Sequence, residues 1–378
     1  MAATTRAVTG DPLAIATERG NGSRPADVAT QRITMLLENN PYPLDVRVRA
    51  EAESLVAAGH EVEVIAPRAK GEPAQETIAG VRVRRFRAYD ASTGGAWAML
   101  AEYLVASLAL HAHAIRALAR GASVLHLHNP PDILFPAGAI FRLAGRTVVF
   151  DHHDLGPELV AIRSSKKPLI GLARTCERLT FAVASHVIAA NRSHAEIARG
   201  RGAKTEDRVT IVRNGPPRSW MKMPVRMREG RLHSVHLAYV GAIAAQDGVE
   251  GLAELLASLR ECAPELDVRL TVIGDGNARP KLEAELRRLG VADAVEITGW
   301  LPPEQVPLLL QEADICLDPA PATPLNDRST MIKVAEYLAL GKPVVAYDLV
   351  ETRATVGDAA LLVRSGDVRA FARQIQTL

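Results

Sequence analysis

Aromatic residues make up only 4% of this 378-residue chain. Nucleic-acid readers of single strands depend on stacked aromatic platforms, so that scarcity argues against them. Cysteine is equally scarce. The three thiols, Cys176, Cys262 and Cys316, are far apart and form no CxxC pair. That excludes a disulfide framework or a zinc ribbon and suits a reducing cytosol. Net charge is nearly absent at +2, although the halves differ. Residues 31–214 hold 24 Lys+Arg against 18 Asp+Glu, and residues 215–378 hold 18 against 22. A basic first half suits an anionic acceptor or membrane surface. Residues 1–30 are small, polar and without an apolar core, so they read as a disordered tail and not a signal peptide.

The most apolar helical stretch, Gly95 to Ala119, is interrupted by Glu102, His111 and His113. It reads as a long helix buried against a sheet, or as an interfacial helix, and not as a membrane span. The expected setting is cytoplasmic, with possible peripheral contact at the inner face of the membrane.

Elsewhere short apolar runs alternate with helical patterns. ITMLLE (33–38), HEVEVIAP (60–67), SVLHLHNP (123–130), TVVFDHHD (147–154), SHVIAAN (185–191) and RVTIVRNG (208–215) read as strands, and VRVRRFR (81–87) as an exposed or edge strand. Crossover helices between them imply a parallel sheet. Residues 216–231 are rich in proline, methionine and basic residues and read as a linker. The alternation then restarts with HLAYVG, VRLTVIGDG, VEITGWLP and ADICLDP. The expected organisation is α/β: a tail at 1–30, a first domain at 31–215, a linker at 216–235 and a second domain at 236–378. The two would be doubly wound, Rossmann-like domains facing across a cleft.

Residues 314–352 carry the most chemistry. A strand runs into a Pro-rich loop, then into a helix that holds Lys333 and Glu336 and stops at Gly341, then into the strand VVAY. In such a βαβ unit the loop at the strand's C-terminal edge is where α/β sheets bind ligands. The helix start at residues 329–333, Ser329, Thr330 and Met331 included, offers N–H groups and a positive dipole end to a phosphate or diphosphate. A carboxylate at Glu336 can accept hydrogen bonds from both hydroxyls of a ribose.

This stretch, with Lys333, Glu336, Tyr337, Gly341, Pro343, Val344 and Val345, resembles the signature of the family-four retaining glycosyltransferases of GT-B fold. The resemblance covers roughly residues 33–365. It implies that Glu336 holds the nucleotide ribose. Arg328 stands where the family usually has a first glutamate, which places the chain with the subset that lacks it. Two basic residues of the family's donor loop are replaced by Ala242 and Asp247. The returning C-terminal helix of GT-B chains is expected to be shortened or absent. Gly241, Gly274 and Gly276 match the family's donor turns, and Trp300 matches its base-contacting loop. His128, in HNP, matches the histidine that faces the reacting sugar.

The remaining candidates come from the first half. Asp151, His152, His153, Asp154 and Glu158 form a dense polar cluster after a strand. They read as acceptor-orienting groups, with Asp151 or His153 assisting proton transfer, or alternatively as a metal centre. Asp45 and Arg47 resemble the family's acceptor loop, where an arginine could pair with an acceptor phosphate. Asn214 ends a strand at the cleft. The expected catalytic set is His128, Lys333, Asp151 and His153. The expected reaction is retaining transfer from a nucleotide sugar, UDP-linked, to a hydroxyl of a glycan, lipid-linked saccharide or glycosylated metabolite. It needs no resident metal or cofactor and no nucleic acid. The alternatives are a nucleotide-sugar epimerase of GT-B fold and a metal-dependent hydrolase centred on DHHD.

Overall fold

The computed structural model describes residues 29–87, 96–163, 166–225 and 233–378. The expected tail therefore lies almost wholly outside the described residues. The first sheet has eight strands: β1 (Arg32–Leu36), β2 (Glu61–Pro67), β3 (Gln75–Ile78), β4 (Val81–Phe86), β5 (Val124–His128), β6 (Thr147–His152), β7 (His186–Ala189) and β8 (Val209–Ile211). Their order is β3-β4-β2-β1-β5-β6-β7-β8, parallel except for β3 against β4. The second sheet has six: β9 (Ser234–Val240), β10 (Asp267–Ile273), β11 (Val295–Gly299), β12 (Ile315–Asp318), β13 (Val344–Tyr347) and β14 (Leu361–Val363). Their order is β11-β10-β9-β12-β13-β14, and every pairing is parallel. These are two doubly wound, Rossmann-like sheets in the GT-B arrangement.

In each sheet the strand order reverses beside the first strand, between β1 and β5 and between β9 and β12. Crossovers leave the sheet on opposite faces there, so the loops beyond the strand ends part and leave a crevice. The structure puts a cleft of about 1250 Å³ at that place, lined from both halves.

Three expectations change. Val81–Phe86 is not the edge strand, because β3 covers it. The hairpin between them closes through Ala79 and Gly80, both with positive φ (47° and 83°). Ala-Gly lacks the Asn-Gly or Asp-Gly signal that marks such turns. Second, the linker is not free of structure. Trp220 is buried with Ile273, Val334 and Tyr337, and Gln311 Nε2 donates to Pro224 O at 2.8 Å. Residues up to 225 therefore lie on the second half. Third, from Leu104 onward the helix Ala96–Ala119 is buried on one face only. Ala106, Leu110, Ala114 and Ala117 pack inward, while Leu104, Leu108 and Ile115 face solvent. Among the described residues, no helix is long and apolar enough to cross a membrane.

The halves also touch through polar groups. Asn191 Nδ2 donates to Arg328 O (2.8 Å) and Thr330 Oγ1 (3.0 Å). Ser193 N donates to Glu351 Oε1 (2.8 Å).

Candidate active site

The loop after β1 crosses the cleft and enters the helix Val46–Ala57, capped by Asp45, whose carboxylate accepts from Val48 N (3.0 Å). In the first turn, Arg47 is buried. Its Nε and Nη2 donate to Asp151 Oδ2 and Oδ1, both at 2.7 Å. Its Nη1 donates to Val212 O (2.9 Å) and Asn214 Oδ1 (2.8 Å). The guanidinium is thus committed, and the expected acceptor phosphate finds no free fork there. Asn214 lines the cleft, but its oxygen serves Arg47.

Asp151, at the end of β6, is fully buried and is a hub instead of an accessible catalyst. Besides Arg47, its Oδ2 meets His128 Nδ1 (3.2 Å) and His153 Nδ1 (3.1 Å). Burial alone would raise its pKa, but His153, His128 and Arg47 outweigh it and hold the carboxyl well below the usual range. For His153 burial works downward, yet Asp151 and Asp154 lift it to about 9. His153 and Asp154 both line the cleft.

Three more candidates move. His128 is buried behind the cleft wall, and the histidine that reaches the wall is His126, with ring centroids 4.2 Å apart. His152 points the other way along the pleat. It packs among Phe150, Phe181 and His194 with Nε2 3.5 Å from Glu177 Oε1. Glu158 is taken by Arg201 Nη2 at 2.6 Å and does not line the cleft. The DHHD run consequently does not assemble as a metal centre. The described residues that share metal-ligand spacing are Glu51, His126, His128 and Asp151, with one ligand atom of each within 4.8 Å of the others.

Glu51 was invisible as a candidate in the sequence, where VRVRAEAESLVAAG reads as an ordinary amphipathic helix. The usable signal was its spacing of four from Arg47, which puts both on one helix face. Its carboxylate lies 3.3 Å from Arg47 Nη2 and 3.8 Å from His126 Nε2. Burial, then the charge of Asp151, push its pKa up to about 8.

Across the cleft two loops meet backbone to backbone. Gly241 follows β9 with φ 146°, and Gly274 follows β10 with φ 141°. A Cβ on Gly274 would stand 2.0 Å from Gly241 O, and one on Gly276 would stand 2.4 Å from Ile243 O. Gly241 and Gly274 line the cleft. Gly276 only closes the packing behind it. Trp300 projects from the rim, 70% exposed, after Gly299 with φ 73°.

The helix Ile332–Ala339 has no side-chain cap at Met331, so its first N–H groups are open. Ser329 and Thr330 line the cleft. Their hydroxyls are engaged, with Ser329 Oγ donating to Leu325 O (2.9 Å) and Thr330 Oγ1 accepting from Asn191. The backbone at the helix start is what remains to offer. Met331 packs against the core. Lys333 is buried beside Gly241, with Nζ 3.1 Å from Asp247 Oδ1 and 3.5 Å from both Asp318 Oδ1 and the Tyr239 hydroxyl. Burial would strip its proton, but Asp318, Tyr239 and Asp247 together raise its pKa. The cation is therefore kept and already neutralised. Glu336, one turn on, lines the cleft, half-buried. Burial raises its pKa, with Lys333 opposing.

Comparison with known proteins agrees with this geometry. Residues 44–215 match the family model "Glycosyl transferase 4-like domain", and residues 234–378 match "Glycosyl transferases group 1". The chain is 29% identical over 142 residues to a 2-deoxystreptamine glucosyltransferase of Streptomyces kanamyceticus, covering 37% of this chain and 35% of that one. It is 26% identical over 322 residues to an uncharacterized glycosyltransferase of Methanocaldococcus jannaschii, covering 80% and 75%. The chain spans about a third of the length of the first curated relatives that it matches. A sucrose-phosphate synthase of Thermosynechococcus elongatus has the same fold, with TM-score 0.69, 18% identity, and coverage of 92% of this chain and 89% of that one.

Proposed function

We propose that this chain, whose two halves match glycosyltransferase models on a GT-B frame, transfers a sugar, with retention, from a nucleotide sugar to an acceptor hydroxyl. The observation that carries this reading is Glu336. It stands in the cleft one turn beyond the uncapped helix start at Met331, and the histidine-lined wall faces it. That pairing fits a ribose on Glu336 and a diphosphate on the N–H groups of residues 331–333. The exposed ring of Trp300 supplies a platform for the base, for which we propose uracil.

The chemistry asked of the protein is positioning and charge stabilisation. The diphosphate leaves towards the helix start. The acceptor hydroxyl attacks from the same face, through an oxocarbenium-like state, and passes its proton to the departing diphosphate oxygen. A helix dipole and oriented N–H groups favour the developing charge more than the ground state, which is what lowers a barrier. Acceptors in this reading are glycans, lipid-linked saccharides or glycosylated metabolites. The exposed row Leu104, Leu108 and Ile115 is where we place peripheral contact with a membrane.

Thermal-shift titration with UDP, GDP, ADP and UDP-sugars tests the reading, since a native-state ligand must raise the melting temperature. Glu336→Ala removes two charge-assisted hydrogen bonds of about 1.5–3 kcal/mol each before compensation. The expected loss of UDP affinity is about a hundredfold by calorimetry. Absence of stabilisation by every nucleotide would sink the proposal.

A second expectation concerns Asp247. Its carboxylate neutralises Lys333 and would face an incoming diphosphate. Asp247→Ala leaves Lys333 with Asp318 alone, so UDP should bind about five- to tenfold tighter, on the order of 1 kcal/mol of relieved repulsion. Unchanged or weaker binding, measured in the same titration, would show that Lys333 and Asp247 lie outside the diphosphate's reach.

A further inference from the structure

Most polar groups on the first-half wall of the cleft are satisfied by one another. Arg47, Asp151, His128, His153 and Asn214 form one connected network. Three lining residues outside it keep unpartnered atoms: His194 at Nε2, and the neighbouring pair Glu51 and His126. Both carboxylate oxygens of Glu51 and Nε2 of His126 are buried without a hydrogen-bond partner among the described residues. They lie 3.8 Å apart, and both residues line the cleft. Two cations act on Glu51, Arg47 and His153, and both are already directed at Asp151. Orphaned buried polar atoms cost about 1–3 kcal/mol each, so such a pair on a cavity wall marks a place where a ligand's own groups complete the bonding.

The chemistry of the missing partner follows from the surroundings. Glu51, Asp45 and Asp154 bring carboxylates to this wall, and Asp151 lies directly behind it. An anion placed beside the pair would approach the charged Asp151, and Arg47 and His153 are already directed at that carboxylate. Hydroxyl groups fit: an O–H donates to the carboxyl or the imidazole, and its oxygen also accepts. A metal ion is the rival occupant, since Glu51 and His126 share spacing with His128 and Asp151. Asp151, however, is already committed to Arg47 through two bonds.

We propose that Glu51 and His126 form the acceptor-binding pair of this cleft and select an uncharged polyhydroxylated ring, a sugar or cyclitol without a phosphate ester. This deepens the transferase reading and rests on it. The pair positions an acceptor hydroxyl; it takes no part in holding the donor.

The test uses the full chain with UDP present. Binding of a neutral cyclitol, a methyl hexoside and the same cyclitol as a phosphate monoester is followed by saturation-transfer NMR and calorimetry, and UDP affinity is measured in parallel. At least one neutral ring should bind, and the phosphate monoester should bind more weakly. Glu51→Ala and His126→Ala should each weaken the neutral ring about ten- to hundredfold while UDP affinity stays within about twofold. Glu51→Gln keeps an accepting oxygen and should recover most of the loss, which a purely structural role would not predict. The proposal is overturned if no neutral ring binds while UDP does, if the phosphate monoester binds better, or if the variants leave ring binding unchanged. It is also overturned if one equivalent of zinc binds the wild type and is lost in both alanine variants. Failure of UDP to bind at all would instead count against the transferase reading itself.

Discussion

Asp151→Ala should destabilise the fold by about 3–5 kcal/mol, the cost of leaving a buried partner charge uncompensated. The charge left behind is Arg47, buried against Asp151 through two 2.7 Å bonds. His128 and His153 lose their shared acceptor at the same time. Urea unfolding of the full chain gives the number, and a loss below about 1 kcal/mol would show that Asp151 is not the hub described. Asp151→Asn should be intermediate, because it keeps one accepting oxygen and drops the charge.

The same network sets the response to pH. Asp151's pKa is depressed in the folded chain, so its contribution is present above the unfolded value of about 4 and is lost as pH falls through the lower folded value. His153 is raised to about 9. Its contribution is complete below the unfolded value of about 6.5 and disappears as pH rises through 9. His194 is held down to about 3, chiefly by burial, so it stays neutral while the unfolded chain takes up a proton below about 6.5. Acid therefore destabilises first through His194 and then through Asp151, and alkali through His153. In Asp151→Ala most of the alkaline loss should disappear, since Asp151 raises His153 more than Asp154 does.

Gly274→Ala should abolish nucleotide binding, with at least a hundredfold weaker UDP affinity, and should cost more than the strain of an unfavourable φ alone, about 1–3 kcal/mol. Its φ of 141° disfavours any side chain, and the new Cβ would stand 2.0 Å from Gly241 O. A backbone carbonyl cannot rotate away as a side chain can. The two donor-side loops would have to part, carrying Gly241 away from Lys333 and the helix start. Gly290→Ala is the control. It also has positive φ (66°) but nothing within 4 Å of the new Cβ, so it should show backbone strain without loss of binding. Equal effects in the two variants would refute the contact argument.

How much of this was legible in the chain depends on the distance over which a property is decided. The parallel sheets followed from apolar runs spaced by helical patterns, because that periodicity is local. The donor side was legible for the same reason: β12, its loop and the helix bearing Lys333 and Glu336 are one contiguous stretch. The first-half wall was not. Arg47 and Asp151 are 104 positions apart, and nothing short-range says that they meet. The sequence therefore offered Arg47, Asp151, His128 and His152 as free chemistry, when burial had already paired or hidden them. Glu51 went unnoticed because a lone glutamate in a helix carries no motif; His126 shares a strand face with His128 as a conceivable metal pair, but no third ligand stands near them in the sequence. Val81–Phe86 lost its place as edge strand to a hairpin whose Ala-Gly turn gives no warning.

Two neighbouring residues of the first half, Asn191 and Ser193, reach across to the second. The helix Arg192–Gly200 begins with Asn191 holding Arg328 and Thr330, and with Ser193 donating to buried Glu351. Thr330 is two positions before the helix that we assign to the diphosphate. A first-half side chain therefore grips the very backbone that leads into that helix, and the wall that would hold the acceptor and the seat that would hold the donor are tied by two hydrogen bonds of one asparagine.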